Sequence, residues 1–117
     1  MAKKKKVIDG NYLDKIPVRL QTVGWKADDG GIVTLEIENT GWVNRLAQKL
    51  FFRPKISYVH LDEFGSFIWP LIDGKTSILA IGDPVKEKFG EKAEPLYPRL
   101  AEFFRILESY HFIRFSD

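Results

Sequence analysis

Apolar and polar positions divide the chain into a strand-patterned first half and a helix-patterned second half. Val33, Leu35 and Ile37 alternate with Thr34, Glu36 and Glu38, a period of two that predicts a strand with one buried and one wet face. The run Val18 to Lys26 reads as its hairpin partner across Asp28-Asp29-Gly30-Gly31, whose glycines permit positive φ. Ile56, Tyr58 and His60 alternate with Ser57, Val59 and Leu61, which predicts a third, central strand with Val59 and Leu61 toward the core. The period then changes. Phe64, Phe67, Ile68, Leu71 and Ile72 recur at helical spacing, and Asp73-Gly74 supplies a stop, with glycine suited to the left-handed position. Ile78, Ile81, Val85 and Phe89 mark a second helix with Thr76 as candidate N-cap. Gly82-Asp83-Pro84 predicts a kink or restart within it. Leu96, Leu100, Phe103, Phe104 and Leu107 mark a last helix over Pro95 to Tyr110, and Phe112 to Phe115 can add a short strand.

Strands followed by helices predict an α+β fold. Its outline is that of a winged helix-turn-helix: a three-stranded antiparallel sheet, then three helices. The expected organisation is a flexible basic segment over 1–15 and one domain over 16–117. Trp42 to Phe52 reads as a short helix or wound loop covering one end of the sheet, and Trp25 as an ordinary aromatic packed over the hairpin.

Charge changes the picture in one respect. The formal net charge is +2, but Lys3 to Lys6 hold four of the eighteen basic residues. The remainder carries fourteen against sixteen acidic residues, which is poor support for nucleic-acid binding. A DNA-binding winged-helix regulator is therefore the second reading. The last helix offers Arg99 and Arg105 but also Glu102 and Glu108, a mixed surface ill suited to phosphate. No cysteine is present, which removes thiol catalysis and thiolate metal sites. No apolar run reaches the length of a membrane span, and a cytoplasmic protein is the default expectation.

Catalytic motifs are missing: there is no phosphate-binding glycine loop, no G-x-S-x-G and no H-E-x-x-H. His60 has no acid or nucleophile marked beside it, and reads as a partly exposed strand histidine. Asp28-Asp29 and Asp62-Glu63 fall at turns or helix starts, where a capping role explains them. These residues give no support for an enzyme, cofactor or metal. A binding module remains. Three strands leave two edges, and an unpaired edge accepts an extended peptide through main-chain hydrogen bonds. Such an edge also permits a strand-paired homodimer.

The run from His60 to Thr76, with Ile68-Trp69-Pro70-Leu71-Ile72-Asp73-Gly74 at its centre, resembles the PqqD-like family of pyrroloquinoline-quinone synthesis proteins. Lys88-Phe89-Gly90 and the close of the last helix at Phe112-Ile113 match the same layout. The resemblance covers residues 55–115 well and the first 50 in outline. It implies a non-catalytic peptide-recognition element of ribosomally made, modified-peptide pathways. Such an element holds the leader of a precursor peptide and presents it to a modifying enzyme, often a radical S-adenosylmethionine enzyme. Carried onto this chain, the leader adds as a strand to Lys55 to Leu61 and lies against Pro95 to Tyr110. The implied contacts are Ile56, Ser57, Tyr58, Val59 and His60 on the strand, with Arg99, Phe103 and Ile106 on the helix. Pro70, Pro84 and the longer N-terminal part depart from the typical pattern.

Overall fold

The computed structural model describes residues 10–39 and 55–116. The lysine run and the segment Trp42 to Phe52 lie outside those residues. The chain is mixed α+β, with a three-stranded antiparallel sheet followed by three helices among the described residues. Residues 21–66 form one compact unit; the residues up to Leu20 and from Phe67 onward form a second.

In the first unit, β2 (Val23–Ala27), β3 (Val33–Asn39) and β4 (Lys55–His60) lie in the order β2-β3-β4. The strand at 55–60, expected to be central yet to offer an edge for strand addition, is therefore at the border among the described residues, and β3 is the middle strand. Trp25 pairs with Leu35, and Leu35 with Val59. Opposed residues share a face, so Val23, Trp25, Val33, Leu35, Ile37 and Val59 lie on one side, and Lys26, Thr34, Glu36, Tyr58 and His60 on the other. Val33 and Leu35 are fully buried, as the alternation predicts. Trp25 is 38% exposed and is not a core aromatic. The β2–β3 turn is fixed by Asp28, whose Oδ1 accepts from the N–H groups of Gly30 and Ile32, both at 2.9 Å. Gly31 takes φ +86°, a value an L side chain resists.

The far end of the sheet is closed by a side chain. The Leu61 N–H donates to the Val33 carbonyl at 2.9 Å. The return bond is made through Ser66. The Val33 N–H donates to Ser66 Oγ at 2.8 Å, and that hydroxyl donates to the Leu61 carbonyl at 3.2 Å. Ser66 is the buried polar residue among the described ones, and this bridge satisfies two backbone groups that would otherwise lack partners. It sits in α2 (Glu63–Ile68), capped by Asp62, whose Oδ1 accepts from the Gly65 N–H at 2.8 Å.

The second unit opens with a short helix, α1 (Gly10–Leu13), and β1 (Ile16–Arg19). The expected single strand from Val18 to Lys26 is corrected here. It is broken after Arg19, and its first part pairs antiparallel with β5 (Ile113–Ser116), not with the hairpin. The Leu20 N–H donates to the Phe112 carbonyl at 3.2 Å, which extends that pairing. The helix expected to reach Ile72 also ends early. Pro70 lacks the N–H for a further α turn, and Trp69–Leu71 tighten into a 3-10 turn. Asp73 then accepts from the N–H groups of Lys75 and Thr76 and from the Thr76 hydroxyl. Led by the Lys75 bond, these contacts lower the pKa of its carboxyl. Gly74 adopts φ +78°, as its place in the stop predicts.

The next helix, α3 (Ile78–Phe89), starts one residue later than expected. Ser77, not Thr76, is its cap, since Thr76 is held by Asp73. It runs through Pro84 as one element, without the expected restart. Proline forfeits only the bond to the carbonyl of Ala80, an exposed residue whose backbone water can reach. After a 3-10 turn at Gly90–Ala93 comes α4 (Leu96–Ser109). The two helices approach closely at Gly82, where an added Cβ would stand 3.1 Å from the Tyr97 ring and 3.2 Å from Leu100. Ile78, Ile81, Val85, Leu100, Phe104 and Leu107 fill this core. At the end of α4 the Phe112 N–H donates to the Leu107 carbonyl and the His111 N–H to that of Glu108. This is a Schellman closure, with His111 at φ +65° in the position glycine usually holds.

Candidate functional site

The main-chain phase of β4 follows from one hydrogen bond. Leu61 points its N–H at Val33, and in an antiparallel ladder inward and outward residues alternate. Val59 and Ser57 therefore face β3 with their backbone, while Ile56, Tyr58 and His60 direct N–H and C=O to the outer border. No described strand pairs with that border. Among the described residues no other backbone group bonds to those of Ile56, Tyr58 and His60 on that side.

The side chains around this border are exposed. Tyr58 is 60% and Ile56 42% exposed. His60 is also exposed; its Nδ1 shares a hydrogen bond with Thr34 Oγ1 at 2.8 Å. Beside Tyr58 lies a shallow depression of about 260 Å³, lined by Lys26, Ala27, Asp28, Thr34 and Glu36. Lys26 Nζ and Glu36 Oε2 stand 3.2 Å apart across it. This pair is well exposed on the lysine side and contributes little to stability. Val59 is half-buried on the opposite face.

The three helix residues named from the sequence belong to the other compact unit. Ile106 is 43% exposed on α4, and Tyr110, one turn on, is 65% exposed. Phe103 is half-buried with its ring edge-on to Phe104 at 5.4 Å. Arg99 donates from Nη1 to the Lys92 carbonyl at 2.7 Å, which ties its guanidinium to the preceding turn. Arg105 pairs with Glu102 at 3.0 Å, so the exposed surface of α4 is mixed in charge. Trp69 was not singled out for burial, yet it is fully buried, and its Nε1 finds no acceptor among the described residues.

No group of three or more histidine, cysteine, aspartate or glutamate side chains suited to a metal occurs among the described residues. No helix among them is long and apolar enough to cross a membrane. What the site offers is backbone: outward donors and acceptors along a strand of high β-propensity. A small antiparallel sheet with such a border, followed by helices, is an architecture to which a further extended segment can be added. Residues 32–113 match the family model of coenzyme PQQ synthesis protein D, and the chain belongs to that family. Neither the curated proteins nor the solved structures gave a match to the chain.

Proposed function

We propose that this chain is a non-catalytic peptide-binding protein. It holds the leader of a ribosomally made precursor by strand addition to β4 and presents the rest of that precursor to a modifying enzyme, such as a radical S-adenosylmethionine enzyme, in the cytoplasm. The observation that carries this reading is the phase of β4, which aims the backbone of Ile56, Tyr58 and His60 outward from the last strand of its sheet. Family membership supports the same reading. Affinity would come from main-chain hydrogen bonds at those three residues, and selectivity from side chains. A guest residue opposite Tyr58 would share its face with Tyr58 and Glu36, while one opposite Val59 would lie on the apolar face with Leu35. Arg99, Phe103 and Ile106 stand in this proposal as contacts carried over from the family resemblance.

The test is a titration followed by amide chemical shifts. The probes are the leader of a precursor encoded beside this chain and peptides selected from a random library on the full chain. Saturable shifts should concentrate at residues 55–61. Saturating peptide that leaves those amides unmoved defeats the proposal.

A further inference from the structure

The outward residues of β4 are not held alike. A residue whose N–H and C=O point to the border makes no bond to β3, so its backbone is placed by the bonds of its two neighbours. Tyr58 stands between Ser57 and Val59, which pair with Ile37 and Leu35 in the ladder. His60 has such a neighbour on one side, Val59. On its other side is Leu61, which lies past the end of the strand. The Leu61 N–H reaches the Val33 carbonyl directly, at 2.9 Å. Its carbonyl is joined to the Val33 N–H through the Ser66 hydroxyl, by bonds of 3.2 and 2.8 Å. Ser66 is 5% exposed, so water has little access to take the place of that hydroxyl. The His60 side chain is tied to Thr34 Oγ1, but that bond is exposed and does not hold the backbone of residue 60. Ser66 is itself fixed by α2: its N–H donates to the Asp62 carbonyl at 2.8 Å, and Asp62 caps the helix through the Gly65 N–H.

We infer that Ser66 is a positioning residue for peptide binding. It is buried and is not itself part of the border. By joining Leu61 to Val33 it holds the N–H and C=O of His60 in line with those of Ile56 and Tyr58, so that a guest pairs with all three residues and not with two. This inference rests on the proposed function, since the guest is the extended peptide added to β4. The main-chain bonds at His60 are the ones that the serine makes usable. Its contribution to binding therefore appears only with a guest long enough to reach residue 60, which separates it from a serine that merely supports the fold.

The probe is a library-selected peptide in two lengths. The long form shifts the amides of Ile56, Tyr58 and His60; the short form is trimmed until the His60 shift is lost and the other two remain. On the wild-type chain the long form should bind roughly tenfold tighter, the contribution of one or two main-chain hydrogen bonds. On Ser66→Ala that advantage should shrink to less than about threefold, with short-form affinity per folded molecule unchanged. Ile81→Val, a destabilising change in the helical core, should keep the full advantage. The wild-type chain supplies a second readout, which stands even where Ser66→Ala does not fold. Coupling is reciprocal, so at equal saturation the long form should slow hydrogen exchange at the Val33 N–H several-fold more than the short form does. Val33 lies in β3, one strand away from the guest. No long-form advantage on the wild type, an undiminished one on Ser66→Ala, equal losses for both lengths, or equal protection of Val33 by both each overturn the inference and leave peptide binding standing. Selected peptides that leave residues 55–61 of the wild type unmoved defeat the proposed function, and this inference falls with it.

Discussion

The two compact units put their apolar residues to different uses. In the helical unit Trp69, Ile78, Ile81, Val85, Leu100 and Phe104 are at most 1% exposed. In the sheet unit Val33 and Leu35 are buried to the same degree, while Ile56 and Tyr58 are 42% and 60% exposed. Each unit also leaves large apolar residues exposed, Leu79, Ile106 and Tyr110 in the helical one and Ile56 and Tyr58 in the sheet, but on the sheet they accompany an outer row of backbone groups with no partner among the described residues. Burial costs those groups nothing only if something else pairs with them. The contrast teaches where to look for function: residues whose removal barely disturbs the fold are the ones free to serve a partner.

The sharpest way to break that contrast is at the packed end. Phe104→Ala removes a fully buried ring and should cost about 3–5 kcal/mol in urea unfolding. For a domain whose whole stability is of order 5–15 kcal/mol, that is a large share. Ser66→Ala should cost less, about 1–3 kcal/mol, because it strands the Val33 N–H and Leu61 carbonyl without partners. Its local signature is faster hydrogen exchange at Val33. A Ser66→Ala protein as stable as wild type would mean that the bridge is not what closes the sheet.

How much of this was readable in advance depends on the kind of information each feature needs. The β3 alternation was legible because burial on one face imposes its period directly on Val33 and Leu35. The Asp73-Gly74 stop was legible because its chemistry is local. Strand partnership was not. Val18 to Lys26 gives no sign that its two parts pair with strands far apart in sequence, and alternation in 55–60 does not reveal whether the strand is central or last. The restart that Pro84 allows is not made, because the one carbonyl it leaves unbonded belongs to Ala80, an exposed residue, and the sequence shows the lost N–H but not that exposure. The site followed the same rule. Ile56, Tyr58 and His60 could be grouped by parity, but their outward backbone required the register with β3. Arg99, Phe103 and Ile106 came from family resemblance, and no local pattern marks them.

A third prediction concerns Tyr12, which sits edge-on to the Phe115 ring at 5.8 Å with the Arg105 guanidinium 5.5 Å from its ring centre. Burial pushes its phenol up to about 12, against a smaller opposing pull from Arg105. The folded state therefore keeps a proton that the unfolded chain releases near pH 10. This contribution is whole below pH 10 and is lost as pH rises from about 10 to 12. Unfolding measured at several alkaline pH values should show a steeper decline for wild type than for Tyr12→Phe. Equal slopes would place the phenol in water and weaken the view of the helical unit as the tightly packed one.

The smallest stability effect is expected at Tyr58, and it is the one that tests the contrast most directly. Tyr58→Lys changes an exposed side chain on a border strand, so the midpoint of unfolding should move by no more than about 0.5 kcal/mol. The backbone of residue 58 still points outward, but a lysine there places a charge where a paired strand must approach, the device natural sheets use to keep borders vacant. Peptide affinity should therefore fall while stability holds. A stability loss comparable to that of Phe104→Ala would show Tyr58 to be part of the core economy after all. Unchanged affinity with unchanged stability would show that the guest docks on some other surface.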